Sequence, residues 1–224
     1  QPLRINSGGY YSEFSYTASH QRWKQVATAA DGTTTTWYIG GLMEKLSRQS
    51  LKDDFLVQPR LANHPALDDI SNGALATVRL LTCRNEQGVP EATNAAFRMA
   101  IGNSVVDNFH QGGLATAVDL ETGVIGIASD IGIRPDVGWR DTHPVSGARF
   151  AGRSLPHWRE VVALGVRAHE AFPERVVVGW DVAMLADGAM IIEGNGKPDL
   201  DIHQRAERGP AGGGRIAHLL AFNV

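Results

Sequence analysis

The sequence predicts an α+β fold, a mostly antiparallel sheet with packed helices. Three observations carry that prediction. Apolar, β-branched runs outnumber helical ones. Short turn segments, NEQGVP and Glu121-Thr122-Gly123 among them, separate successive runs, as in hairpins. One long stretch, LPHWREVVALGVRAHEAFP, repeats apolar residues at helical spacing. Strands joined by tight turns pair antiparallel, which argues against a doubly wound parallel sheet.

Residues 1–57 read as a small α+β section. LRINSGGYYSEF places a Gly-Gly pair between polar residues, the mark of a tight hairpin or loop. TTTTWYIGG is β-branched and aromatic, hence a strand, and LMEKLSRQS has helical spacing through Leu42, Met43 and Leu46.

Residues 58–224 form the second section. DFLVQPRL is a strand that crosses the boundary and ends or sits at an edge at Pro59, which has no N–H to donate. ANHPALDDISNG reads as a polar loop. ALATVRLLTC and EATNAAFRMAIG are two strands, VDNFHQGGL a loop, and ATAVDLETGVIGIASD a hairpin. Residues 134–156 read as loop. The helix follows, with Pro156 in its first turn, apolar positions at Val161, Leu164 and Ala168, and Pro173 as its stop. VVVGWDVAML and AMIIEGN are the last two strands.

Composition bounds the function. The chain has 224 residues, 43% of them hydrophobic, and a net charge of -3. That is enough apolar material for a core, and the negative balance argues against broad nucleic-acid binding, which wants a clustered basic face. No apolar run approaches the ~20 residues of a membrane span. Cys83 stands alone in a strand-like run, so neither a disulfide within the chain nor a thiolate metal site can form. A reducing, cytoplasmic setting fits.

The last two strands pose the chemical question, because GWDVAMLADGAMIIEGNGKPD puts Asp181, Glu193 and Asn195 inside apolar runs. A three-residue loop, Ala186-Asp187-Gly188, would pair Leu185 with Ala189, Met184 with Met190, Val182 with Ile192, and Asp181 with Glu193. Asn195 would then share their face. Opposed carboxylates repel, and a divalent cation between them removes the conflict; oxygen ligands suit Mg²⁺ or Mn²⁺. A two-residue Asp-Gly turn would instead pair Ala186 with Ala189 and put the carboxylates on opposite faces.

The pattern D-x(11)-E-G-N-G-x-P resembles the metal-binding end of ATP-grasp ligases such as D-alanine–D-alanine ligase and the ribosomal-protein glutamate ligases. The resemblance implies that Asp181, Glu193 and Asn195 hold Mg²⁺ against the phosphates of ATP. It implies that FLVQPRL is the hinge strand that reads adenine, with Gln58, Arg60 and Leu61 beside the base. Pro59 lacks an N–H, so a backbone donor there comes from Arg60 or Leu61. Arg79 and Arg98 match the basic residues aimed at the phosphates. VDNFHQGG resembles the S-N-x-x-x-G-G loop, with Asn108, Gly112 and Gly113 matching, while Val106 and Asp107 stand where that family has an arginine. The set VDNFHQGG, HPVSGARFAG and EGNGKPDLDIHQR is most similar to the sugar-transfer-associated ATP-grasp family.

At the front, PLRINSGGYYSEF resembles the lid segment whose Gly-rich flap, Gly8-Gly9 here, covers the phosphates. Pro2 matches, and Gln1 falls where the family has its lysine. The expectation is an ATP-grasp fold lacking its N-terminal subdomain: residues 1–57 a partial lid subdomain, 58–224 the C-terminal subdomain with hinge strand and metal site.

The implied chemistry is phosphorylation of a small-molecule carboxylate by ATP, then attack by an amine or sugar-linked acceptor, serving cell-surface polysaccharide or peptide assembly. Arg79, Arg98 and Asn108 would act on the reacting groups. A non-catalytic nucleotide- or partner-binding fragment is the alternative, favoured by Gln1, as the intact Asp-Glu-Asn set favours the enzyme. A truncated sheet that exposes apolar surface would allow a homo-oligomer. His143, Arg149 and Arg153 could hold an acceptor anion or form ordinary ion pairs. Asp199, Asp201, His203 and Gln204 could line the acceptor site, with Asp199 and Asp201 equally suited to caps or turns. His157 and His169 read as surface groups, and Trp180 as core.

Overall fold

The computed structural model describes the backbone of residues 3–7, 10–16, 22–29 and 32–37, and residues 61–101, 109, 112–130 and 138–223 in full. The chain divides into two compact units, Gln1–Arg60 and Leu61–Val224.

In the first unit, β1 (Leu3–Ser7), β2 (Tyr10–Tyr16), β3 (Arg22–Ala29) and β4 (Gly32–Trp37) form an antiparallel meander in chain order. Ser7 pairs with Tyr10, so two residues connect β1 to β2, as the Gly-Gly pair predicts. The helix expected over LMEKLSRQS lies outside the described residues, as does the strand expected over DFLVQPRL apart from Leu61.

The second unit is built on a six-stranded antiparallel sheet of β5 (Thr77–Arg84), β6 (Pro90–Met99), β7 (Leu114–Val118), β8 (Ile125–Ser129), β9 (Val177–Leu185) and β10 (Gly188–Asn195), in the order β10-β9-β5-β6-β7-β8. Its two faces differ in kind. One carries Val78, Leu80, Phe97, Met99, Trp180, Val182 and Met184, all buried in the main core. Helix α2 (Trp158–Glu170) covers that face and buries Trp158, Val161, Gly165 and His169, spaced by three and four residues. A Cβ at Gly165 would come within 2.5 Å of Leu80 Cδ2, so glycine is what lets α2 lie this close.

The other face carries Arg79, Ala96, Arg98, Ala115 and Asp181 beside Leu81 and Cys83. Ala96 and Ala115 accept Ile202 and Ala206 of α3 (Asp201–Glu207) together with Phe109. Cys83 accepts Ile216 and Leu219 of α4 (Arg215–Phe222). Neither helix was legible in the sequence: α3 has few apolar residues, and the Gly-rich run before α4 reads as loop.

Three further expectations are corrected. ANHPALDDISNG is not all loop; buried Leu67 and Ile70 draw Asp68–Ser71 into a short helix, α1, with Asp68 and Asp69 favourably placed in its first turn. Pro156 lies ahead of α2 rather than in its first turn, because His157 is left-handed at φ 53° and the helix starts at Trp158. His169 is fully buried: its Nδ1 bonds the Thr82 hydroxyl at 2.8 Å and its Nε2 the Arg175 carbonyl at 3.1 Å. Trp180 is core as expected, donating from Nε1 to the same Thr82 oxygen at 2.9 Å.

Candidate functional site

The β9–β10 turn follows neither sequence-based register. Gly188 pairs with Leu185, so the turn residues are Ala186 and Asp187. Ala189 pairs with Met184, Met190 with Ala183 and Ile191 with Val182. Continued unbroken, this ladder would set Ile192 across from Asp181. Instead the register shifts between Ile191 and Glu193, and Glu193 stands opposite Asp181. The extra residue of the bulge, Ile192, turns the strand by one step. Asp181 and Glu193 therefore share a face, by a route the sequence reading did not foresee.

The row continues across the sheet. Asp181 pairs with Arg79, and Arg79 with Ala96. Arg98, two residues beyond Ala96, shares that face and lies across from Ala115. Asn195 extends the row on β10, its amide nitrogen 3.5 Å from the Gly179 carbonyl. Gly179 clears the ground beneath: a Cβ there would fall 2.7 Å from Pro198 Cβ and 3.2 Å from Arg79 Cδ.

Charge is distributed unevenly along the row. Asp181 is buried, at 5% exposure, whereas Glu193 is exposed. Both Asp181 oxygens are taken: Arg79 Nε bonds one, Arg79 Nη2 the other at 3.2 Å, and Arg98 Nη2 approaches that second oxygen at 3.0 Å. Arg98 also donates to the Thr77 hydroxyl from Nε at 3.1 Å. Burial lowers the Arg79 pKa, but the hydrogen bonds and charge of Asp181, with Glu193 and Asp199 behind it, outweigh burial and hold the guanidinium above its usual value.

The donors present are oxygen atoms suited to a hard divalent cation. Glu193, and Asn195 through its Oδ1, fit one directly. The Asp181 carboxylate fits in chemistry, but its arginines must yield before it can ligate. Among the described residues, no three His, Cys, Asp or Glu side chains cluster as a ready-made metal site.

The Gly112-Gly113 segment leads into β7. Gly112 is left-handed at φ 95° and its N–H bonds the Phe109 carbonyl at 3.3 Å. Gly113 precedes Leu114 and Ala115, the latter facing Arg98. Leu61 is half-buried at the start of the second unit. Gly8, Gly9, Gln58, Arg60 and Asn108 lie outside the described residues.

Other polar clusters are committed elsewhere. Arg153 pairs bidentately with Asp69 at 2.8 and 2.7 Å, Arg149 pairs with Asp141, and His143 bonds the Ala100 carbonyl through Nε2 at 2.9 Å. This is the ordinary ion-paired arrangement rather than an open anion site. One residue gains prominence: His203 is 1% exposed and neither ring nitrogen has a hydrogen-bond partner. The sequence put it near the site but could not show that it is buried.

No helix among the described residues is long and apolar enough to cross a membrane. Searches of curated proteins and of solved structures gave no significant match. The family model for sugar-transfer associated ATP-grasp proteins matches residues 36–211, from the end of β4 past α3. That match spans most of the chain and takes in β5–β10, which carry the polar row, and it brings with it ATP-dependent, ligase-like chemistry in general terms. The chain belongs to the sugar-transfer associated ATP-grasp family.

Proposed function

We propose that the protein is an ATP- and Mg²⁺-dependent ligase that joins a small carboxylate to an amine or sugar-linked acceptor through an acyl phosphate, in the assembly of a cell-surface polysaccharide or peptide. The reading rests chiefly on the row Glu193–Asp181–Arg79, set in register across β10, β9 and β5, with Arg98 and Asn195 on the same face. Opposite charges in contact, mounted on rigid strands, are what phosphoryl transfer asks of a protein: placement and charge compensation.

Glu193 and Asn195 would hold Mg²⁺, with Asp181 joining as its guanidinium contacts loosen. The ion would supply positive charge to the phosphate oxygens. Arg79 and Arg98, freed from Asp181, would bind the transferring phosphoryl group. A carboxylate oxygen of the substrate attacks the γ-phosphorus and ADP leaves. The acceptor nitrogen then attacks the acyl carbon, phosphate leaves, and the nitrogen loses a proton. The Gly112-Gly113 backbone and Asn108 would hold the acyl phosphate or the acceptor. Gln58, Arg60 and Leu61 would face adenine, and Gly8-Gly9 would cover the phosphates.

Calorimetry of the full chain with a non-hydrolysable ATP analogue, with and without Mg²⁺, tests the reading. Tight binding that needs Mg²⁺ and weakens in Glu193→Gln supports it. Binding indifferent to both overturns the metal assignment and leaves a nucleotide-binding module.

A further inference from the structure

Among the described residues Asn94, His157 and His203 each bury an unpartnered side-chain atom, and only His203 has two. His203 is almost fully buried and its two ring nitrogens are both unpartnered. A buried imidazole normally bonds at least one nitrogen, because leaving both without partners forfeits their hydration for nothing. His169 in the same protein shows the ordinary case, with a partner at each nitrogen.

The direction in which His203 points follows from its helix. Ile202 and Ala206 fix α3 against Ala96 and Ala115 of the sheet. Arg205 reaches towards β8, donating from Nη2 to the Ser129 hydroxyl at 2.7 Å. Residues two apart on a helix are separated by about 200°, so His203 leaves α3 on the side away from β8. That side leads back along the sheet to β6 and β5, which carry Arg98 and Arg79. Burial holds the ring neutral with a pKa near 3; the positive charges of Arg79 and Arg98 act in the same direction, against the negative charge of Asp201. A neutral imidazole beside two cations keeps one N–H to donate and repels neither guanidinium.

We propose that His203 is a substrate-binding residue that donates a hydrogen bond to the phosphoryl group gripped by Arg79 and Arg98, completing a three-sided anion site. This rests on the ligase reading for the identity of the anion. The site then reads charge and shape together: two guanidiniums supply charge, and the imidazole adds a donor from the covering helix. A phosphoryl oxygen would give one of its two ring nitrogens the partner that no protein group supplies.

The test uses the full chain, labelled with ¹⁵N-histidine, as wild type, His203→Phe and His203→Gln. The His203 ring signals, identified by their loss in the variants, are followed during titration with AMP-PNP and Mg²⁺, with ADP and Mg²⁺, and with inorganic phosphate. AMP-PNP and phosphate should move these signals, and ADP should move them little. In calorimetry His203→Phe should bind AMP-PNP roughly tenfold more weakly, as loss of one charge-assisted hydrogen bond predicts, with ADP affinity unchanged. Its melting temperature should hold or rise, because an unsatisfied polar group has gone. His203→Gln, which keeps an N–H, should recover much of the AMP-PNP affinity. An unchanged ratio of AMP-PNP to ADP affinity in His203→Phe overturns the proposal, as does loss of both affinities with a fall in melting temperature. If the wild type binds neither nucleotide, the ATP reading fails separately. The phosphate titration then decides on His203: a shift of its signals supports the anion site and no shift refutes it.

Discussion

Glu193 faces Asp181 across β10 and β9 only because Ile192 is bulged out of the ladder. The two carboxylates share a face but not a condition. Asp181 is ion-paired with two guanidiniums below the surface, and the Glu193 side chain is exposed. Their mutants should separate accordingly. Asp181→Asn should cost stability of about 3 kcal/mol, since Arg79 and Arg98 stay buried while the carboxylate they both contact is gone. Glu193→Gln should change stability by less than about 0.5 kcal/mol. Both should weaken Mg²⁺-dependent nucleotide binding. Denaturant melts and calorimetry on the same samples check this; a stable Asp181→Asn would mean that the ion pairs contribute little.

Removing an arginine should expose the carboxylate it covers. Arg79→Met leaves Asp181 with Arg98 alone, and frees the oxygen that Arg79 Nε holds. Affinity for Mn²⁺ in the absence of nucleotide should rise by roughly tenfold, equivalent to about 1.4 kcal/mol. Electron paramagnetic resonance of free Mn²⁺ during titration reads it directly. Unchanged affinity would show that Asp181 takes no part in holding a cation.

Acid should destabilise the protein well before its carboxylates titrate. Burial, then the charge of Arg84, lowers the His169 pKa against the opposing hydrogen bond to Arg175, and burial and the two arginines bring His203 down to about 3. A depressed folded pKa means that the unfolded chain takes up protons first. The stabilising contribution is therefore complete above the ordinary histidine value of 6.5 and is lost as pH falls towards the folded pKa. The slope of unfolding free energy with pH should approach about 1.4 kcal/mol per unit from His203, and His169 adds to it in the same direction. Urea midpoints between pH 6.5 and 4 should fall less steeply in His203→Phe than in the wild type; parallel curves would contradict a neutral buried imidazole.

Gly165→Ala sets two effects against each other. Helix propensity favours alanine by about 1 kcal/mol. The new methyl would sit 2.5 Å from Leu80 Cδ2, and Leu80 is fully buried with little room to move. Overpacking of about 1–3 kcal/mol should win, so the variant should be less stable by chemical denaturation. A more stable variant would mean that α2 slides away from the sheet at little cost.

The sheet was legible where apolar runs alternate with turn chemistry, and six strands of the second unit fall where that pattern places them. What escaped was set by longer-range packing. His169 reads as polar on a helix, yet Thr82, 87 residues away, gives it a reason to be inside. Asp68–Ser71 coils because Leu67 and Ile70 are drawn into a core that local polarity cannot reveal. The site illustrates both cases. Its residue types stood out as carboxylates in apolar strands, but no turn rule yields a bulge at Ile192. That Asp181 already holds two arginines depends on the pairing of β9 with β5, and the strands in contact are about a hundred residues apart.

Cys83, the chain's single cysteine, lies fully buried in β5 beneath Ile216 and Leu219 of α4, and burial pushes its thiol pKa up. It will resist alkylation and oxidation for as long as that helix stays seated. Its labelling rate is therefore a built-in clock for the lifting of the C-terminal helix, one that needs no engineered tag and can be read with and without nucleotide.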